Sequence, residues 1–498
     1  MERERVSQAK TAIAFEGHPY TYGQLKATVY EHAALLARLG VRQGDRVALQ
    51  LPKSMEFIYL HLAVLSAGAV TLPLNPAYTA EETAYFLHDS GSALLFTDRA
   101  GAQRAGNRTE TIRTVLVDEP GTDHYRSLVE RSRAEKGPES KPAYSTRADD
   151  PAMICYTSGT TGKPKGAVIT HRNLVSNTAA LYEAWRWTQE DVLLHVLPLF
   201  HVHGLCVALH GALHAGATVV MHEKFDPVRV CRAMEEEKCT VFMGVPTIYA
   251  RLGPELAIRR PDLSSMRVFI SGSAPLKEHL FASFRELTGF PILERYGMTE
   301  AQMIASNPYD PERRIPGSVG YPLPGVSVRV VAASGDDAAP GDVGEVWVKG
   351  DNVFQGYWGR PAETARAKDG AWLKTGDLGY RDPRDGGRLY LVGRARELII
   401  SGGFNVYPKE VENILDNHPA VRESAVFGLE DPDLGERVVA AVVSEDGAEE
   451  VTGEELVAHC REHLAGYKCP KEIRFVPELP RNAMGKVQKQ VLKDMFDR

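Results

Sequence analysis

The sequence predicts an α/β protein of two unequal parts. One is a large N-terminal domain of parallel sheets with helices, closed by a β-rich subdomain; the other is a small α+β C-terminal domain. Three observations carry that reading. At 498 residues the chain exceeds the size at which one hydrophobic core keeps growing. Short apolar runs alternate with helix-periodic stretches as far as Glu294, the pattern of strands joined by helical crossovers. From about Gly317 the texture changes to short β segments punctuated by glycine, aspartate and proline. The division is set after Gly393, giving an N-terminal domain of residues 1–393 and a C-terminal domain of residues 394–498.

Taken in order, Thr21 to Gln24 reads as a capping box opening a helix that runs towards Leu39. A Gly44-Asp45 turn leads to the strand VALQL, and Met55 to Ser66 is helix-periodic. Thr79 to Glu82 is a second capping box, for a helix ending near Gly91 ahead of the apolar run ALLFTD. Residues Arg131 to Asp150 are polar and without periodicity, so they read as an excursion or connection before the strand AMICYT. VLLHVLPL, ATVVMHE, CTVFMGV and RVFISG are further strands, and VSVRVV, GEVWVKG, AWLKTGDLGYRD and RLYLVGR form the β-rich part. In the small domain ESAVFGL, RVVAAVVS and EIRFVPE are strands, with a helix opened by the box Thr452 to Glu455 between the second and third.

Composition excludes several classes. Hydrophobic content of 43% and charged content of 25% are those of a globular protein, and a net charge of −7 argues against a general nucleic-acid binder. The six cysteines include no C-x-x-C pair and read as reduced structural thiols, which points to the cytoplasm. MERERVSQAK lacks the apolar core of a secretory signal, and no run of 18 apolar residues suggests a membrane span.

The chemistry starts at Tyr156–Gly166, YTSGTTGKPKG, which holds five hydroxyl residues, three glycines and two lysines. Glycines let backbone N–H groups converge on an anion, while hydroxyls and Lys163 and Lys165 add donors and charge. That is a phosphate loop. It differs from the common ATPase loop, because Pro164 stands where G-x-x-x-x-G-K-[ST] needs its second glycine.

This stretch resembles the phosphate loop of the adenylate-forming superfamily, which includes acyl-CoA synthetases, luciferases and peptide-synthetase adenylation modules. The resemblance extends in order to SGSAP at Ser271–Pro275, YGMTE at Tyr296–Glu300, TGD at Thr375–Asp377, LVGR ending at Arg394, GRARELIISGGFNVYPKEVE at Gly393–Glu412, and PRNAMGKVQK at Pro480–Lys489. It implies that Thr157, Ser158, Gly159, Thr160, Thr161, Gly162 and Lys163 hold ATP phosphates. Ser273 and Ala274 would line the adenine, with Glu294, Arg295, Tyr296 and Gly297 on the nucleotide side. Thr299 would contact the α-phosphate and Glu300 would hold Mg²⁺. Asp377 and Arg394 would take the ribose, and Arg396 would be the hinge. Gly402 and Gly403 would border the CoA path. Lys486 would be catalytic with Thr299 and Glu300, bridging carboxylate and α-phosphate as charge builds. The implied cofactors are ATP, Mg²⁺ and CoA, and the implied reaction joins a small carboxylic acid to CoA through an acyl-adenylate. PRNAMGK also looks compatible with a lysine acetyltransferase and deacetylase acting on Lys486.

Within the superfamily, ERYGMTE, SNPYDPERRIPGSVG and GGFNVYPKE resemble the malonyl-CoA and methylmalonyl-CoA synthetases. Arg251 and Arg295 stand where fatty acyl relatives tend to carry small or apolar residues. An arginine in an apolar tunnel is costly unless an anion meets it, so both are expected to bind substrate, holding a second carboxylate. His203 is expected to border the acyl pocket; it and His195 and His201 read as pocket histidines rather than metal ligands. Ala301 and Ala305 depart from the hydroxyl residues those synthetases tend to carry. The alternatives are a medium- or long-chain fatty acyl-CoA synthetase, with both arginines turned away, and an adenylation module serving a carrier protein or a nucleotide-binding regulator, the last of which would not need Lys486.

Overall fold

The computed structural model describes residues 6–105, 112–117, 124–136, 146–157, 163–447, 451–481 and 487–496. A parallel array sits at the centre of the large domain, with Leu293–Met298, Val268–Ser271, Val241–Gly244, Val192–His195 and Thr218–Met221 side by side in that order. Thr11–Phe15 extends it in parallel, and His18–Thr21 folds back on that edge. On the other side of Leu293–Met298 the sheet continues antiparallel through Gln302–Ser306, Ser318–Pro322, Arg388–Arg394, Trp372–Asp382, Gly344–Gly350 and Val326–Val331. Burial follows this change. Val241–Gly244 and Val268–Ser271 are buried throughout, whereas Trp372–Asp382 alternates buried and half-buried residues for most of its length, as a one-sided antiparallel strand should.

A second sheet runs Gly356–Tyr357, Lys165–Thr170, Pro151–Thr157, Val70–Pro73, Arg46–Gln50, Leu94–Thr97, Arg113–Leu116. It is parallel except at Lys165–Thr170, which pairs antiparallel with Pro151–Thr157 on one side and with Gly356–Tyr357 on the other. Leu49 and Phe96 from this sheet and Leu193, Val219 and Met243 from the first lie in one buried cluster, which helix Met55–Ser66 joins through Phe57, Ile58 and Leu60. Each such side chain contributes about 1.5–3 kcal/mol on burial.

Local signals hold where the determinant is local. Thr21, Thr79 and Thr452 each accept from the backbone N–H three residues on while that residue's side chain accepts from the cap, so all three capping boxes form. Gly91 closes Ala80–Ser90 in the left-handed conformation. The stretch after Arg131 differs from expectation, because helix His124–Lys136 runs into it. Among its described side chains Tyr125, Leu128, Val129 and Ser132 offer it an inward face, too few apolar residues for a periodic signal. Helix Lys489–Phe496 is a further addition, anchored by Leu492 and Phe496 one turn apart.

The small sheet orders Phe404–Val406, Ile399–Ser401, Gly435–Ser444 and Val421–Asp431, with Glu472–Phe475 parallel to Gly435–Ser444. Lys277, from the large domain, reaches across to it: Nζ lies 3.0 Å from Asp416 Oδ2 and donates to the Arg422 carbonyl at 3.0 Å. No helix among the described residues is long and apolar enough to cross a membrane.

Gly320 is the tightest joint of the antiparallel wing. Its φ is +82° and a Cβ there would lie 2.0 Å from the Ser306 carbonyl oxygen. Gly320→Ala is expected to lower the thermal midpoint by about 5 °C or more, a shift that differential scanning calorimetry would register. An unchanged midpoint would mean the hairpin can yield there.

Candidate functional site

Leu293–Met298 organises the site because it is the seam between the parallel and antiparallel halves of the large sheet, where an open α/β sheet leaves a crevice. Alternation along it sends Glu294 and Tyr296 to one face and Arg295 to the other. The strand ends in a tight turn, Thr299–Ala301, that a side chain at Gly297 would block: its Cβ would meet the Gln302 carbonyl oxygen at 2.1 Å. Thr299 is half-buried in this turn. Glu300 is buried; its Oε1 accepts from the Tyr357 hydroxyl at 3.0 Å and lies 3.4 Å from the Thr157 hydroxyl. Among the described residues it makes no ion pair with a lysine or arginine.

Thr157 and Lys163 flank the stretch expected to hold phosphates; Ser158, Gly159, Thr160, Thr161 and Gly162 lie outside the described residues, as does Lys486. The flanks are tied from below by side chains with no local sequence signal. Tyr85 donates to the Pro164 carbonyl at 2.7 Å, and Tyr156 donates to Asp89 at 2.7 Å. Arg360 bonds the other Asp89 oxygen at 2.6 Å, while Lys163 lies 5.5 Å over the Tyr85 ring.

Across the seam Asp377 gathers a second group. One of its oxygens accepts from the Tyr296 hydroxyl at 2.5 Å and the other lies 3.0 Å from Arg394 Nε, its register partner. Its backbone N–H donates to Thr375, whose hydroxyl donates to Val346 O. Arg396 follows in the short turn Ala395–Glu397, between strand Arg388–Arg394 of the large sheet and Ile399–Ser401 of the small one, with its pKa lowered by burial and by the charge of Arg394. Gly402 and Gly403, both at positive φ, form the tight turn between Ile399–Ser401 and Phe404–Val406.

The turn after Val268–Ser271 meets the other face. Ser273, at φ +72°, pairs its hydroxyl with His203 Nδ1 at 3.2 Å, and Ala274 lies half-buried beside it. Arg295 packs over Gly272, where any Cβ would sit 2.4 Å from the guanidinium carbon. It is 3% exposed, and its Nε and Nη2 find no hydrogen-bond partner among the described residues. Burial pulls its pKa down to about 9, so it remains charged at neutral pH. His203 Nε2 also lacks a partner there; burial and then the Arg295 charge depress that ring's pKa, keeping it neutral.

Arg251 corrects the expectation of two inward arginines. It is exposed, with its guanidinium 5.1 Å over the Phe225 ring, because Tyr249, Leu252 and Leu256 take the buried face of helix Pro246–Arg259. The structure therefore separates Arg251 from the buried Arg295.

The comparisons agree with this architecture. The AMP-binding enzyme pattern matches residues 2–358, and the AMP-binding enzyme C-terminal domain matches residues 410–486. The chain belongs to this family of adenylate-forming enzymes. Within it the protein is an acid–thiol ligase, an acyl-CoA synthetase near the malonyl-CoA synthetases. It is 39% identical to an indoleacetate–CoA ligase of Aromatoleum aromaticum, over 98% of this chain and 96% of that one. It is 36% identical to the mitochondrial malonate–CoA ligase ACSF3 of Mus musculus, over 96% and 87%, and 34% identical to a long-chain-fatty-acid–CoA ligase of Bacillus subtilis, over 97% and 91%. The crystal structure of ATP-bound MatB from Rhodopseudomonas palustris superposes with a TM-score of 0.90 at 41% identity, covering 99% of this chain and 97% of that one.

Glu294 gives the site a measurable pH signature. One oxygen accepts from the Leu276 N–H at 3.0 Å, the other has no partner among the described residues, and burial raises its pKa to about 7. A folded pKa above the unfolded value means that its contribution to stability is full below about pH 4.3 and is lost as pH rises through about 7. Glu294→Gln, which keeps the acceptor, is expected to match wild type near pH 4.5 and to exceed it by about 2–3 kcal/mol at pH 8 in denaturant titrations. A constant difference across that range would refute the raised pKa.

Proposed function

We propose that this ligase activates a small dicarboxylic acid, malonate or methylmalonate, and that the distal carboxylate binds at Arg295. The single observation carrying this is the buried guanidinium with two unpartnered nitrogens. An uncompensated buried charge costs several kcal/mol, which an anionic ligand group offsets, and the planar fork suits a carboxylate. His203 offers a second donor in the tautomer where the Ser273 hydroxyl donates to Nδ1 and the neutral ring carries its proton on Nε2.

In the proposed reaction the acid's other carboxylate attacks the α-phosphorus of ATP and pyrophosphate leaves. The CoA thiol then attacks the acyl carbon of the adenylate and AMP leaves. Thr299 would donate to the α-phosphate, and Asp377, oriented by Tyr296 and Arg394, would accept from the ribose hydroxyls. Glu300 suits Mg²⁺, since it is a buried carboxylate held by hydroxyls; the ion when bound would neutralise phosphate charge. Lys486 would balance charge in the first step only. Gly402 and Gly403 would enter for the second step by rotation of a small domain taken as residues 394–498, about a hinge at Arg396.

A second reading, a medium- or long-chain fatty acyl-CoA synthetase, is favoured by the outward Arg251 and by Ala301 and Ala305, both fully buried. AMP release with malonate, methylmalonate, octanoate and palmitate distinguishes them. Malonates should lead, and Arg295→Met should lower kcat/KM for malonate about 100-fold or more while leaving octanoate little changed. Octanoate leading in the wild type would favour the second reading. Lys486→Ala is expected to slow adenylate formation about 100-fold while conversion of preformed acyl-adenylate to thioester changes less than about threefold. Equal loss in both half-reactions would remove Lys486 from the role proposed.

A further inference from the structure

Behind the acid pocket lies a polar chain that the reaction above does not use. Lys53 follows strand Arg46–Gln50 of the second sheet, and His195 ends strand Val192–His195 of the first. Lys53 Nζ is 2.9 Å from His195 Nδ1 and 2.9 Å from the His195 carbonyl oxygen. His195 is 1% exposed, and its Nε2 is 2.8 Å from the Gly204 carbonyl oxygen.

These contacts allow one proton arrangement. A carbonyl oxygen only accepts, so Nε2 carries the imidazole proton and Nδ1 accepts from Lys53. The ring is neutral, because burial above all pushes its pKa well below the ordinary histidine range; burial pulls the Lys53 pKa well down too, and the lysine nitrogen donates to Nδ1 whether charged or neutral.

Gly204 lies in the π-helical turn His203–Leu209, a rare conformation that recurs at functional sites. It has no room for a side chain: a Cβ would fall 2.0 Å from the Pro198 carbonyl oxygen. The residue before it is His203, whose ring bonds Ser273 and faces the Arg295 charge.

We propose that Lys53 is a positioning residue for the acid pocket. It fixes the His195 tautomer whose Nε2–H holds Gly204, and so sets the turn that presents His203 beside Arg295. Lys53 acts through His195 rather than by contact with the substrates: it links the two sheets through one imidazole, and its effect falls on the acid. The inference rests on the acid pocket lying at His203 and Arg295, as proposed above, and not on the acid's second carboxylate.

The test measures KM for the acid the wild type takes best and KM for ATP, so a monocarboxylate preference would overturn the dicarboxylate reading and leave this test intact. Lys53→Met is expected to raise the acid KM about tenfold or more, with the ATP KM within about twofold of wild type. Lys53→Arg, which keeps a donor, should recover part of that loss. His195→Gln, whose amide can still donate to Gly204, should stay closer to wild type than His195→Leu, which should behave like Lys53→Met. This pair carries the test should Lys53→Met fold poorly. An unchanged acid KM, acid and ATP values rising together, or Gln and Leu variants behaving alike would overturn the proposal.

Discussion

A buried positive charge with too few partners is the constraint on which the site turns. Arg295 could be relieved by shifting outward, but Gly272 lies against its guanidinium and Leu293–Met298 holds its backbone between two strands. The seam strand thus does two things at once. On one face it orients Tyr296 towards Asp377, and on the other it confines an arginine where water does not reach. Its neighbours are chosen to permit this: glycines at positions 272 and 297 leave space for the guanidinium and the turn, and Asn307, just past the returning strand, donates to the Glu294 carbonyl.

Much of the fold was legible because its determinants are local. A threonine followed three residues later by Gln or Glu marks a helix start wherever it occurs, and the buried strands announce themselves as short apolar runs. Helix His124–Lys136 was not legible, since its stability comes from Tyr125 and Leu128 meeting another helix rather than from its own pattern. Lys165–Thr170 is also silent in sequence; as the second arm of a hairpin, it takes its place from Pro151–Thr157.

Legibility at the site divides along the same line. Motif residues such as Thr299, Glu300 and Asp377 could be named from their sequence context, but the side chains that orient them could not. Tyr357 is far in sequence from Glu300, and Asp89 and Arg360 lie apart from the loop they brace. The two arginines make the limit concrete. Sequence supplies a residue type and a neighbourhood, whereas direction follows from which helix face the core claims; Tyr249 and Leu252 claim it, so Arg251 faces out.

The contact between domains has a consequence of its own. Asp416 is 7% exposed, and its ion-pair partner Lys277 belongs to the other domain. Burial raises the carboxyl's pKa even with that lysine opposing it. Burial is the larger cause, so parting the two would act in opposite directions at once, taking away the lysine's charge and giving the carboxyl back to water. In the rotation proposed above, the ion pair would hold the small domain against the large one without by itself giving that position a preference for acid or base.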